Sequence, residues 1–124
     1  MTLNLSNPGN HEDGATYDDF LKLQERCHRQ ATELGFWREG EDRNKAEMIA
    51  LMHSELSELL EAIREPSPKQ SSKIPAFTEE EEELADLIIR AMDYAEGLGL
   101  RLVDAIVAKL DYNLTRAWKH GKKF

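Results

Sequence analysis

The chain has 124 residues, of which 32% are charged and 40% hydrophobic, and its formal net charge is −8. This length predicts one domain with a modest core, and the negative charge argues against a nucleic-acid polymer as partner, because its phosphates would be repelled. A single cysteine excludes an internal disulfide, and neither a signal peptide nor an apolar run of ~20 residues is recognisable. We therefore expect a cytoplasmic protein without a membrane partner.

The first part of the chain is predicted to be an arm followed by a helix. Residues 1–15 contain Asn, Pro, Gly and Asp without periodicity, which is typical of a flexible N-terminal arm. Thr16 is a candidate N-cap, with Asp19 at the capping-box position. Apolar residues then recur every three or four positions as far as Leu34, and Gly35 is expected to end this first helix.

A second helix is predicted from about Asp42 or Arg43 to Arg64, with Pro66 ending it. Its apolar stripe, expected to face the core, consists of Ile49, Met52, Leu56, Leu59, Leu60 and Ile63. The following segment, 65–77, contains three prolines and three serines and is predicted to be a linker.

Two further helices are predicted in the remaining chain. Thr78 is the N-cap of the third, which has an acidic first turn and ends near Gly97. The fourth is expected from about Leu102 to Trp118. Because no segment shows a convincing alternation of period two, residues 16–124 are predicted to form an all-α, four-helix domain.

Two pairs of carboxylates, each three residues apart, are the strongest functional pattern: Glu55 with Glu58, and Glu83 with Asp86. Since each helical residue turns ~100°, the members of a pair lie ~60° apart and one turn along the helix. Both pairs are expected at the edge of their helix's apolar stripe. If the two helices pack through these stripes, the four acids converge, and such hard oxygen ligands suit Mg²⁺, with Mn²⁺ as a substitute.

Other interpretations of these acids stay open. Glutamate favours helices, so an acidic run such as 79–83 is also typical of a solvated first turn. A di-iron bundle would require Glu-x-x-His pairs, and His53, two residues before Glu55, does not fit that spacing. The repetition of the pair on a second helix favours a metal site over a solvated face.

Basic and amide side chains near the C-terminus are candidates for binding a substrate. Lys109, Asn113 and Arg116 lie at i, i+4 and i+7, hence on one face of the fourth helix. This combination suits recognition of phosphate and of a sugar or base, although basic residues also occur on solvated helix ends. Lys122 would either add a phosphate contact or belong to a flexible tail.

The acid pattern and its surroundings resemble the MazG-like superfamily of all-α nucleoside triphosphate pyrophosphohydrolases, in particular its small single-domain members. The motif is Glu55-x-x-Glu58, followed after 24 residues by Glu83-x-x-Asp86. The other similar segments are Gly35-Phe-Trp37, Leu51-Met-His-Ser-Glu-Leu-Ser-Glu58, Glu82-Glu-Leu-Ala-Asp-Leu-Ile-Ile-Arg90, Lys109-Leu-Asp-Tyr-Asn113 with Arg116, and His120-Gly-Lys-Lys. The similarity covers residues 17–124. Ser54 stands where some relatives have an additional glutamate.

The resemblance implies a homodimer or homotetramer that hydrolyses a nucleoside triphosphate to the monophosphate and pyrophosphate, and a deoxynucleotide is the expected substrate. It implies that the four acids hold Mg²⁺ and that a metal-activated water, also bonded to Glu55, attacks the α-phosphorus. Trp37 would stack on the nucleobase or, alternatively, fix its loop to the core. The competing hypothesis is a non-enzymatic acidic helical bundle that binds a protein partner or a metal.

Overall fold

A computed structural model describes residues 11–116 and 122–123 of the chain. Its regular elements are helices: α1 (His11–Glu33), α2 (Lys45–Arg64), α3 (Glu79–Gly97) and α4 (Leu102–Asn113). One isolated β-bridge joins Gln70 to Thr78, and the described residues contain no longer strand. The expected all-α architecture of four helices is confirmed. In the described part of the chain, no helix combines the length and apolar character needed to cross a membrane.

The first helix begins earlier than the sequence predicted. Thr16 was expected as the N-cap, but α1 starts at His11, so Thr16 lies inside the helix. Residues 1–10 of the expected arm lie outside the described residues.

The caps of the next two helices follow from short polar side chains. Asn44 Oδ1 accepts a hydrogen bond from the backbone N–H of Glu47, so α2 begins at Lys45, slightly later than predicted. Thr78 caps α3 as predicted, and a complete capping box links it to Glu81. The predicted ends of both helices, Arg64 and Gly97, are confirmed.

The fourth helix is shorter than predicted. It was expected to continue to Trp118 but ends at Asn113, where the chain tightens into turns. The N–H of Thr115 donates to the carbonyl of Tyr112, three residues back, and that of Arg116 donates to the carbonyl of Asn113. Such bonds are typical of a terminating helix. Residues 117–121 lie outside the described range.

Helix α3 is the centre of the packing, with α1 and α2 against it, while α4 packs on α1. The buried apolar residues are few: Cys27, Met48, Met92, Ala95, Val103 and Val107. The Cys27 thiol lies 3.8 Å from the Met92 sulfur, between α1 and α3. Burial raises the pKa of this thiol, and the nearby Asp93 charge adds to the effect. This residue therefore behaves as a small core side chain, as the pattern indicates.

The buried face of α2 is rotated from the face that periodicity assigned to the core. Its buried residues are Met48 and Glu55, seven positions apart on one face. The apolar stripe around Leu56 lies ~100° further round the helix. Its members Ile49, Leu56, Leu60 and Ile63 are between 43% and 55% exposed. Four of the six residues of the stripe are thus about half exposed, while Met52 and Leu59 are partly buried, because α2 turns the face of Met48 and Glu55 inward.

The expected linker between α2 and α3 is an ordered loop. The Ser71 N–H donates to the carbonyl of Phe77, and the Glu79 N–H donates to that of Lys69. The Ser71 hydroxyl accepts from the backbone N–H groups of Lys73 and Ile74, and Ser71 is only 2% exposed. The loop is therefore fixed to the start of α3.

Candidate metal centre and the adjoining cleft

The four predicted acids meet where α2 packs on α3. One carboxylate oxygen from each of Glu55, Glu58 and Glu83 lies within 4.8 Å of the others. A second such group, within the same limit, joins Glu83 to Asp86 and to Glu82. Glu83 belongs to both groups and is the centre of the cluster.

Their closeness disturbs the ionisation of two acids. Partial burial, followed by the hydrogen bond and negative charge of Glu58, raises the pKa of Glu83 to about 7. The pKa of Asp86 is also raised, first by burial and then by the charges of Glu55 and Glu82. In both cases the protein disfavours the charged form unless a cation is close.

Two carboxylate oxygens at this site are buried without a hydrogen-bond partner among the described residues: Glu55 Oε2 and Glu83 Oε2. Glu55 is only 7% exposed, and its other oxygen accepts a 2.8 Å hydrogen bond from Arg90 Nε. A buried, unpaired carboxylate oxygen is unfavourable, and a divalent cation relieves that cost because it prefers such hard ligands. The donor set therefore fits Mg²⁺ or Mn²⁺.

Glu82 is the acid that the sequence analysis did not select. Its side chain is largely buried and lies 3.6 Å from the ammonium of Lys73. It lies one turn before Asp86, four residues apart on the same helix, so its place in the cluster follows from helix geometry. The contact with Lys73 comes from the loop before α3.

A cleft of about 400 Å³ opens beside the acids. Glu55, Glu58 and Asp86 line it with three cationic side chains, those of Lys73, Arg90 and Arg43. The remaining lining includes an apolar wall from α1, the loop after it and α3, formed by Cys27, Ala31, Leu34, Phe36 and Ile89. One cavity thus joins a negative, metal-compatible region to an apolar surface.

Asp93 organises a polar cluster at the edge of this cleft. Its Oδ1 accepts from Trp37 Nε1 at 2.8 Å and contacts His28 Nδ1 at 2.9 Å. The guanidinium of Arg43 reaches Oδ2 at 3.4 Å and lies 4.9 Å from the Trp37 ring centre. No sequence pattern indicates a role for His28, Arg43 or Asp93, because their positions in the chain follow no common spacing.

Trp37 packs against the C-terminal end of α3. Gly97 leaves room for the indole: a methyl group at this position would overlap its ring. His28 meets the same ring edge-on, at 5.0 Å between centroids. These contacts are those of the second predicted role, in which Trp37 fixes its loop to the core.

The predicted substrate-binding residues of α4 lie apart from the acids. Lys109 Nζ lies 4.7 Å from the ring centre of Tyr112, and the Arg116 guanidinium lies 5.6 Å from it. Asn113 borders a shallow, largely apolar groove on α4 itself. No described residue of α4 lines the acidic cleft. Lys122 is exposed. Within one chain, the structure brings together the acids but not these basic residues.

No protein-family model matches the chain, and no curated protein or solved structure is significantly similar to it.

Proposed function

We propose that this protein is a small MazG-like nucleoside triphosphate pyrophosphohydrolase that uses Mg²⁺ to convert a (deoxy)nucleoside triphosphate to its monophosphate and pyrophosphate. The observation that carries the proposal is the pair of buried, unpartnered oxygens, Glu55 Oε2 and Glu83 Oε2, within one acidic cluster. A purely structural cluster would be expected to pair these oxygens with cationic side chains or backbone N–H groups.

In this proposal Glu55, Glu58, Glu83 and Asp86 are the Mg²⁺ ligands, with Glu82 beside them. When bound, Mg²⁺ supplies Lewis-acid stabilisation of phosphate charge and a water of lowered pKa. Mn²⁺ is expected to substitute for it, since it accepts the same oxygen ligands.

Glu55 has the geometry of a residue that positions the attacking water. Arg90 holds its Oε1, so that Oε2, with its two lone pairs, would contact the metal and accept a hydrogen bond from that water, whose proton passes to solvent on attack. The water oxygen forms a bond to the α-phosphorus while the bond from this phosphorus to the bridging oxygen breaks. Monophosphate and pyrophosphate are then released.

The cleft supports an extended substrate bound along α3. From Asp86 to Asp93, the first and last residues of α3 that line the cleft, the helix advances by about 10 Å. Phosphates would lie at the acidic end, near Lys73 and Arg90, and the sugar and base along the apolar wall that includes Phe36 and Ile89. Apolar walls with a few polar groups are typical of small-molecule sites.

We further propose that a second copy of the chain completes the site. The apolar stripe of α2 is about half exposed, and Leu84 and Ile88 on α3 are 49% and 44% exposed. Such surface favours a homodimer or homotetramer. An adjacent subunit could then supply Lys109, Asn113 and Arg116, which do not reach the acids of their own chain.

Product analysis with each common nucleoside and deoxynucleoside triphosphate tests this function. With Mg²⁺ we expect monophosphate and pyrophosphate in equal amounts, and little product when the metal is chelated. Release of single phosphates would contradict attack at the α-phosphorus. Absence of turnover with every nucleotide would support the competing hypothesis of a non-enzymatic binding module.

A matched pair of variants shows whether the reaction requires the acidic cluster. Glu58→Gln removes one charged ligand while keeping its shape. Glu61→Gln, three residues further on, changes an acid whose side chain is 68% exposed and bonded to Arg64. We expect a loss of activity of about 100-fold or more for Glu58→Gln and less than twofold for Glu61→Gln. Equal activity of the two variants would exclude Glu58 from the site.

A further inference from the structure

Lys73 is a cation whose backbone is held by hydrogen bonds while its side chain is largely exposed. Ser71, which is 2% exposed, accepts hydrogen bonds from the N–H groups of Lys73 and Ile74 and so holds the loop in place. The Lys73 side chain is nonetheless 79% exposed. Its ammonium is thus anchored close to the acidic cluster without being locked in one position.

The other two cations of the cleft are already engaged in the described structure. Arg90 donates to Glu55 Oε1 at 2.8 Å, and its side chain is 36% exposed. Arg43 lies against Asp93 and the Trp37 ring, with 17% exposure. Lys73 contacts Glu82 at 3.6 Å, a long ion pair at the solvent edge. Because the Lys73 ammonium is exposed and the contact is long, solvent screens this pair although Glu82 is largely buried.

We propose that Lys73 is a phosphate-binding residue, which leaves Glu82 and contacts the β- or γ-phosphate of the substrate and the departing pyrophosphate. This inference rests on the proposed function. The acids that attract Lys73 are neutralised when a divalent cation binds, while a polyphosphate brings new negative charge to the same end of the cleft. A mobile ammonium on a fixed loop can follow that change, since it presents its charge in any direction.

In this proposal Lys73 has opposite effects on the affinity for the metal and on the affinity for the phosphate ligand. Without substrate, the Lys73 ammonium lowers the negative potential at Glu82 and Asp86 and therefore opposes cation binding. With a polyphosphate present, it assists binding. A residue that only stabilised the loop would not separate the two effects in this way.

Isothermal titration calorimetry with Mg²⁺ alone, and with inorganic pyrophosphate at saturating Mg²⁺, tests this inference in Lys73→Met. Lys69→Met is the matched control, because Lys69 lies in the same loop, is 69% exposed and pairs with Glu79 at 3.9 Å. We expect Lys73→Met to bind Mg²⁺ as tightly as the wild type or tighter. Its affinity for pyrophosphate should fall about tenfold, as for the loss of one charge-assisted hydrogen bond. Lys69→Met should change both affinities by less than twofold.

The possible failures are distinguishable. If the wild type binds Mg²⁺ and pyrophosphate, and Lys73→Met binds pyrophosphate equally well, the role of Lys73 is refuted while the proposed function stands. If the wild type binds no pyrophosphate in the presence of Mg²⁺ but hydrolyses a nucleoside triphosphate, only the role of Lys73 is refuted; if it also turns over no nucleotide, both proposals fail. A parallel weakening in Lys69→Met would indicate a general charge effect and also refute a specific contact by Lys73.

Discussion

Arg90 and Glu55 form a direct hydrogen bond between side chains of α3 and α2, with 2.8 Å between Arg90 Nε and Glu55 Oε1. The pair makes it possible for a glutamate to lie at the centre of a helix interface. It also leaves Glu55 with one oxygen satisfied and the other free. The same bond thus stabilises the fold and orients a functional carboxylate.

Removal of Arg90 is therefore expected to lower the stability of the metal-free protein more than that of the Mg²⁺-bound protein. Loss of one partner of a buried pair costs about 3–5 kcal/mol, and partial exposure of Arg90 reduces this to about 1–3 kcal/mol for Arg90→Met. Thermal unfolding should show a lower Tm without metal and a larger gain on adding Mg²⁺ than in the wild type.

Arg64→Met is the control for this variant. Arg64 also forms a 2.8 Å contact with a glutamate of α2, but both side chains are more than two-thirds exposed. Its Tm should change little with or without Mg²⁺. Equal effects of the two substitutions would show that the Arg90–Glu55 pair has no special importance.

Metal binding is expected to release a proton below neutral pH. The pKa of Glu83 is about 7 in the metal-free protein, so this carboxyl is mostly protonated at pH 6 and must ionise to bind Mg²⁺. Affinity for Mg²⁺ should fall by roughly tenfold per pH unit below 7 and level off above it. Calorimetric titrations with Mg²⁺ in buffers of different ionisation enthalpy measure the number of protons released. Glu83→Gln should show no such release, and a pH-independent wild type would contradict the raised pKa.

The same carboxyl should make the metal-free protein less stable as pH rises. Its pKa is about 7 when folded, against a reference value of 4.5. Between these values the folded state binds more protons than the unfolded state, so stability falls as pH rises from about 4.5 to 7. The raised pKa of Asp86 acts in the same direction. Chemical denaturation at pH 5 and pH 8 with chelator, compared with Glu83→Gln, measures this contribution.

Replacement of Gly97 by alanine should reveal the contact with Trp37. Alanine favours a helix over glycine by about 0.5–1 kcal/mol, so Gly97→Ala would be stabilising if the site were open. Because the added methyl group would overlap the indole, we expect a loss of about 1–3 kcal/mol instead. In a Trp37→Ala background the same change should become neutral or stabilising. Denaturant unfolding of the four proteins provides the measurement, and additive effects would argue against the contact.

Mixed oligomers can show whether α4 contributes Lys109 to the site of a neighbouring subunit. Glu83→Gln and Lys109→Met are each expected to inactivate their homo-oligomers. In dimers re-formed from an equal mixture, half the assemblies contain both chains, so about a quarter of the sites should be intact if Lys109 acts across the interface. The double variant Glu83→Gln/Lys109→Met, re-formed alone by the same procedure, is the control. Failure of the mixture to regain activity would place Lys109 outside the partner's site.

The helices and the acid pairs could be predicted because their signals are local. Capping residues such as Thr78 fix a boundary, and a spacing of three residues puts Glu55 and Glu58 on neighbouring turns. The orientation of α2 could not be predicted in this way. Apolar periodicity favoured the Leu56 face, whereas the structure buries Glu55, a choice that depends on Arg90, 35 positions away in the chain.

The roles of Glu82 and Asp93 were missed for different reasons. Glu82 lies four residues before Asp86 on the same helix, a spacing that the paired pattern of three did not include, whereas Asp93 gathers Trp37, His28 and Arg43 from two other segments. Such contacts arise from long-range packing, which leaves no regular spacing in the sequence. The sequence predicted that Lys109 and Asn113 share one helix. Only the structure shows that no described residue of this helix, α4, lines the cleft.

The position of Trp37 gives the protein an intrinsic optical probe. Its indole is bonded to Asp93, packed on Gly97 and adjacent to Arg43, a residue of the cleft wall. The chain has only one other tryptophan, Trp118. Replacing Trp118 by phenylalanine would leave a single fluorophore whose emission depends on a carboxylate and a guanidinium at the edge of the cleft. Ligand entry could then be followed in real time without any turnover.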